Sequence, residues 1–290
     1  MILALLAGSA TAWAAPPASD AAPPASDAAA SDVAASDGTS APKEGVARPL
    51  PAVPLWDDPI ADSRAPRSSL TVRTGERPTI DATLGLPLPL VEFAWRDTRV
   101  QIGLATAIFL GFVNDGPLIF DFETFDGWFA LPIDVSAGPW SARLEWAHLS
   151  AHYGDGIRDN SARPGNIDPF SREWVRLWGA RTLGPARVYG SAWALLHTLP
   201  EAPPFGFSAG AEVEGPWRVA PYAAVDLRLA QEDAWAPAIG GQAGARFRSG
   251  THRLRLGVAA RSGPEDTGKL RPGTEAWVGG ILTYDRVGGP

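Results

Sequence analysis

Cysteine is absent from the chain, so neither a disulfide framework nor a thiolate-held zinc or iron–sulfur site can form. Histidine occurs four times in 290 residues, which leaves little scope for a His-rich metal site. No metal and no cofactor is therefore expected. Beyond the N-terminus no run of about 18 apolar residues occurs, so no ordinary transmembrane helix is present. No P-loop or Rossmann fingerprint sits between a strand and a helix. Positive charge is not in excess: the formal net charge is −7, and a nucleic-acid partner is not expected. Disorder along the whole chain is excluded by a 45% hydrophobic content that includes 12 Trp.

What is present begins with a short apolar stretch, residues 1–14, ending Ala12-Trp13-Ala14. Small residues at the outer two of these positions make an A-x-A-like cleavage site, so residues 1–14 are expected to be a signal peptide, although a positive n-region is missing. Ser-Asp pairs then recur at 19–20, 26–27, 31–32 and 36–37 in an Ala/Pro-rich tract. Such a composition buries too little apolar area to offset chain entropy, and residues 15–60 are expected to be a disordered periplasmic tail. The tract's four Asp residues (20, 27, 32, 37) account for much of the net acidity.

From about residue 69 to 287 apolar residues alternate with period two. Val100, Ile102, Leu104, Ile108, Leu110 and Phe112 fall on one face; Arg99, Gln101, Gly103, Ala105, Ala107 and Gly111 fall on the other, with Phe109 the exception. Sixteen residues of alternation exceed the usual soluble strand of about five or six. About twelve strands (range 10–14) are predicted, at 69–74, 79–94, 98–113, 127–135, 139–151, 171–182, 186–198, 205–214, 217–230, 236–248, 251–262 and 274–285. Pro87 and Pro89 interrupt the second.

Connections alternate as well. Short turns near 95–98, 136–139, 183–186, 214–217 and 248–251 are interleaved with longer, more polar connections near 113–127, 152–170, 198–205, 230–236 and 262–274. One short end and one long end indicate an antiparallel up-and-down transmembrane β-barrel over 61–290, of the kind found in the outer membrane of Gram-negative cells. Trp140 and Trp217 follow Gly-Pro turns, where an interfacial aromatic belt would lie. On this reading the apolar face meets lipid, while Arg143, Glu145, Arg218, Asp226, Arg228, Arg246, Arg253 and Arg255 line the lumen. A soluble periplasmic β-protein would reverse the two faces. The expected partners are outer-membrane lipid and, during biogenesis, the barrel-assembly machinery.

The segment from Phe129 to Gly156, with Ala61-Asp62-Ser63-Arg64-Ala65-Pro66-Arg67 upstream, resembles bacterial domain-of-unknown-function family 1207. That family shows a Leu-Ala-Asp-x-Arg-x-Pro-like leading segment and a His-x-Ser-Ser-His-x-Gly-Asp-Glu core. Here the core is His148-Leu149-Ser150-Ala151-His152-Tyr153-Gly154-Asp155-Gly156, departing at Ala151 and Gly156. The resemblance implies an envelope barrel and no established activity. The His-x-Ser pair is also similar to that of outer-membrane phospholipase A and lipid A deacylase, and only His148 and Ser150 carry over from them.

His148 and Ser150 are two apart on a strand, so both emerge on the face of Leu144 and Trp146, near the external end. A Ser–His pair facing lipid could attack an ester, His taking the Ser proton. Glu173 shares parity with Val175 and Leu177 and is the candidate for orienting the imidazole. Asp155, Asp159 and Asn160 are loop alternatives. Three readings of the core stand side by side. In the structural one His152, Gly154 and Asp155 only shape the rim, Gly permitting the turn and Asp capping backbone N–H groups. The second is catalysis by His148, Ser150 and Glu173. The third is a metal held by His148, His152 and Asp155. For the whole barrel, a structural or envelope-associated role is the leading expectation. The alternatives are a Ser/His lipid hydrolase and a narrow pore for small anions, with Arg246, Arg253 and Arg255 in the lumen. In a plugged version of the lumen, Asp134, Glu145, Glu212 and Asp226 pair with Arg.

Overall fold

The computed structural model describes residues 44–74, 79–117, 119–154, 169–270 and 273–287. The signal peptide, the tail to residue 43, and Asp155, Asp159 and Asn160 lie outside these residues. In chain order the strands are β1 (Ala47–Pro49), β2 (Ser68–Thr74), β3 (Thr79–Trp95), β4 (Thr98–Gly116), β5 (Ile119–Ala137) and β6 (Trp140–Tyr153). There follow β7 (Phe170–Leu183), β8 (Ala186–Leu199), β9 (Phe205–Glu214), β10 (Val219–Ala230), β11 (Pro237–Ser249), β12 (His252–Pro264) and β13 (Thr274–Arg286). Strands β2 to β13 each pair antiparallel with their neighbours, and β13 pairs with β2, closing a twelve-stranded barrel. The three-residue β1 adds to β3 near its C-terminal end.

The inside-out assignment holds. Leu84 is 61% and Leu256 57% exposed on the outer wall, whereas Arg143 and Arg255 are 3% and 1% exposed in the interior. Closure pairs the strands around the barrel, so the apolar outer band carries few unpaired backbone groups toward hydrocarbon, the exception being the interval of β3 between Thr83 and Val91. The short turns are tight because their corner residues adopt left-handed conformations: Gly138, Gly184 and Gly250 have φ of +56°, +61° and +58°. Arg96 takes the same corner without being glycine. Arg218 is exposed beside the β9–β10 turn and does not line the lumen, because the strand begins only at Val219.

Two further expectations are corrected. The connection near 113–127 is almost wholly strand: β4 and β5 run to a tip at Gly116↔Ile119, with register shifts after Gly111 and Asn114. Phe112 and Phe122 pair across this ladder at 5.4 Å, so aromatic contact stabilises residues whose alternation is broken by the bulges. The second correction concerns residues 44–60, expected as the end of the tail. They are ordered. After β1, residues 51–67 turn into the lumen, where Val53, Trp56, Ile60 and Ala65 are buried.

This internal plug is what fills the barrel. Trp56 packs on Trp178 at 5.7 Å. Gln101 receives the Leu55 amide at 2.9 Å and donates to the Val53 carbonyl at 3.1 Å. Asp58 accepts from Arg143 at 3.0 Å, and the Ile60 amide donates to Glu212 at 2.8 Å. Arg64 reaches Asp126 at 2.7 Å and stacks over Phe109 at 3.9 Å, which explains why Phe109 alone breaks the small-residue pattern of its face. Arg67 donates to the Pro59 carbonyl. Between Thr83 and Val91 the edge of β3 that faces β1 and β2 has no strand partner, and the plug passes there. Pro87 and Pro89 lie in that interval; a missing N–H costs nothing on an unpaired edge. The connection between β12 and β13 folds inward from the other end, bringing Asp266 to Ser63 and the Gly268 amide to Asp126 at 3.1 Å.

Candidate functional site

Strand β6 carries Arg143, Glu145, Ala147, Leu149 and Ala151 into the interior, so Leu144, Trp146, His148, Ser150 and His152 face outward. The same parity on β7 sends Arg172, Trp174, Arg176 and Trp178 inward and Glu173, Val175 and Leu177 outward. Register then decides which residues meet. His148 lies directly opposite Glu173, and Ser150 directly opposite Ser171.

The His148 Nδ1 and Glu173 Oε1 atoms are 3.2 Å apart, and both side chains are about one-third exposed or less. A carboxylate can only accept, so in this pair Nδ1 is the donor, and in that tautomer Nε2 is the ring's acceptor. Phe129 of β5 flanks the imidazole at 5.2 Å between ring centroids and also meets Trp146 at 5.5 Å. On its other side Ser150 pairs with Gly127 of β5, which presents no side chain. No hydrogen bond joins His148 to Ser150 among the described residues; their Cα atoms are about 7 Å apart along the strand. Nucleophile–base contacts in unliganded sites commonly tighten only when substrate is bound.

Four residues that the sequence reading did not single out for the site complete the patch: Gly127, Phe129, Ser171 and His197. Outward parity on β5 and β7 was available for the first three, but only register shows that they adjoin Ser150 and His148. His197 was hidden by a bulge. Glu173 pairs with His197 and Trp174 with Leu195, so Leu196 is an extra residue and His197 is returned to the outward face.

His152 is exposed and packs on Phe125 at 6.0 Å. It lies four strand positions beyond His148, about 13 Å, too far for one metal to bridge the two rings. Among the described residues no cluster of three metal-ligating side chains occurs. Gly154 donates its amide to the Glu123 carbonyl at 2.8 Å, and a Cβ there would collide with the Phe122 backbone. Close approach, and not a turn conformation, is what requires glycine.

Inside the barrel, Arg253 binds Asp285 at 2.8 Å, Arg255 binds Glu214 at 2.6 Å and Asp285 at 3.0 Å, and Arg246 lies 3.9 Å from Glu214. Asp134 pairs with Arg143 at 2.7 Å and Glu212 with Arg187 at 2.8 Å. Asp226 differs from expectation: it accepts from the Tyr189 hydroxyl at 2.8 Å, with no Arg ion pair among the described residues. The same is true of Glu145, whose position between Arg143 and Arg176 gives long-range attraction without contact. Arg143, Arg187, Arg253 and Arg255 are thus held by protein carboxylates, and a cavity of about 130 Å³ remains between plug, wall and the β12–β13 connection.

The fold is similar to that of outer membrane phospholipase A from Escherichia coli, with a TM-score of 0.50 at 13% identity, over 79% of this chain and 94% of that one. A loop L8 deletion mutant of OmpT, an outer membrane protein of Vibrio cholerae, is also similar, with a TM-score of 0.37 at 10% identity, over 76% and 96%. At such identities the likeness is one of architecture. No curated protein matches the sequence. The model of the family described as Protein of unknown function (DUF1207) matches residues 7–273, and the chain belongs to that family.

Proposed function

We propose that this chain is an outer-membrane barrel carrying a serine ester hydrolase on its outer wall, acting on acyl esters of membrane lipid. The observation that carries the reading is the His148–Glu173 hydrogen bond at 3.2 Å, made on the apolar face with Ser150 next outward on the same strand. Glu173 fixes the tautomer, His148 Nε2 takes the Ser150 proton, and Oγ attacks the ester carbonyl. A lipid ester reaches such a site by lateral diffusion, without passing through the lumen. The paired arginines and the plug weigh against a pore. Likeness to an outer-membrane phospholipase supports the substrate class by analogy of fold alone.

Purified protein in detergent micelles is expected to release fatty acid from phospholipid or lipopolysaccharide. Ser150→Ala is expected to abolish release while keeping the heat-dependent shift in gel mobility of a closed barrel. If wild type and Ser150→Ala are equally inert on both lipids, the hydrolase reading falls and a structural barrel remains.

A further inference from the structure

Two outward rows cross the wall at this site. One runs Phe129, His148, Glu173, His197 on β5 to β8; the next, toward the external rim, runs Gly127, Ser150, Ser171, Leu199. The first contains the base and its orienting acid. The second has the nucleophile at its centre, a hydroxyl on one side and an empty position on the other. We propose that a single-chain acyl ester lies across this second row, its carbonyl oxygen on the Ser171 hydroxyl and its acyl chain leaving over Gly127. This inference rests on the hydrolase reading and adds the groups that hold the substrate.

Ser171 is the direct cross-strand partner of Ser150. Opposed Cβ atoms in such a pair are about 4.5–5.5 Å apart, a span that one carbonyl oxygen can occupy between two hydroxyls. Both serines are partly exposed on the outer face, and neither hydroxyl is committed to another described residue. An uncommitted donor aimed at the place where negative charge develops is what acyl transfer requires.

The opposite side is shaped for a chain. A Cβ built on Gly127 would lie 3.6 Å from Phe125 Cε1 and 3.7 Å from Ser150 Oγ, ordinary contact distances. Glycine is therefore not demanded by sterics of the sheet; its absent side chain leaves a notch against Ser150, bounded along β5 by Phe125 and Phe129. Below the notch β5 continues outward with Phe129, Leu131 and Ile133, an apolar lane leading toward the middle of the band.

The chemical step balances without any further reactant than water. The Ser150 O–H proton passes to His148 Nε2 as Oγ bonds the carbonyl carbon, and the carbonyl π pair moves onto the oxygen held by Ser171. Collapse of this intermediate breaks the ester C–O bond, and His148 returns the proton to the departing alkoxide. Water then repeats the sequence on the acyl-serine, releasing the fatty acid.

The test uses the full chain in detergent micelles with p-nitrophenyl acetate and p-nitrophenyl palmitate as probes. Ser171→Ala is expected to lower kcat on both esters by 10- to 1000-fold with KM little changed, and Ser171→Thr, which keeps a hydroxyl, is expected to recover most of it. Gly127→Leu is expected to raise KM for the palmitate at least tenfold while sparing the acetate. The heat-dependent mobility shift checks that each variant is folded. An active wild type, killed by Ser150→Ala but indifferent to Ser171→Ala, overturns this inference and leaves the hydrolase reading standing. Equal effects of Gly127→Leu on both esters overturn the acyl notch. An inert wild type overturns the inference together with the reading beneath it.

Discussion

Glu173 is the residue on which the chemistry of the wall turns. Its carboxylate accepts from His148 Nδ1 at 3.2 Å, and Nε2 is then the ring nitrogen left to act as a base. Glu173→Gln keeps the size and a possible hydrogen bond but removes the charge that would stabilise an imidazolium. Its kcat on a lipid ester is expected to fall about 10²- to 10⁴-fold with the barrel unchanged. Equal turnover in Glu173→Gln and wild type would make the hydrogen bond incidental. His148, Ser150 and Glu173 were legible in the sequence because period-two parity is a local property. Each needs only its own strand's alternation to be placed on the outer face. Ser171 and Gly127 shared that parity but had no reason to be singled out until register set them beside Ser150. Parity alone would turn His197 inward, since a single extra residue at Leu196 reverses the face. Asp226 was correctly placed inside, yet its partner is a hydroxyl from β8, a choice that depends on side-chain reach across two strands.

At the scale of elements, most strand limits could be read to within one or two residues because tight turns and Trp-headed strand starts punctuate the chain. The plug could not. Residues 51–67 have no periodicity, and their burial comes from contacts with the interior faces of strands around the barrel, from Gln101 of β4 to Arg253 of β12, which nothing local encodes. Two traces were nonetheless present: Val53, Leu55, Trp56 and Ile60 are large apolar residues in a Pro-rich stretch, and Pro87 and Pro89 mark where β3 loses its neighbour. Gly85 marks the same place. A Cβ there would collide with the Pro66 carbonyl and the Arg67 amide, because the plug leaves the lumen directly across this residue to begin β2. Gly85→Val therefore cannot be accommodated without moving backbone, and is expected to destabilise the barrel by about 1–3 kcal/mol. Gly280→Val serves as the control, since nothing lies within 4 Å of a Cβ at that outward position. Guanidinium midpoints measured in one detergent should separate the two; a shared midpoint would mean that the plug is not pressed against β3.

For the whole molecule, closure depends on two segments meeting in the lumen. The plug enters near the short-turn end and the β12–β13 connection folds in from the long-loop end. They join where Ser63 and Arg64 approach Asp266 and Asp126. Asp266 is the latch: it accepts from Arg228 at 2.9 Å and from Arg261 at 2.8 Å as well as from Ser63. Burial by itself would raise its carboxyl, but Arg261 and then Arg228 outweigh that and hold it below the usual carboxylate range. A carboxyl depressed in the folded state favours the docked loop at every pH above its unfolded value near 4, and that contribution is lost as pH falls through the folded value. The loop is therefore expected to stay docked from neutral pH down to about 4 and to release only in stronger acid. Hydrogen exchange of residues 264–270 should be slow and, after correction for intrinsic rates, flat across that interval. Asp266→Asn should speed exchange already at neutral pH, because Arg228 and Arg261 would each lose a charged partner in a buried place. Protection that declines between pH 7 and 5 in the wild type would assign the latch to some group other than Asp266.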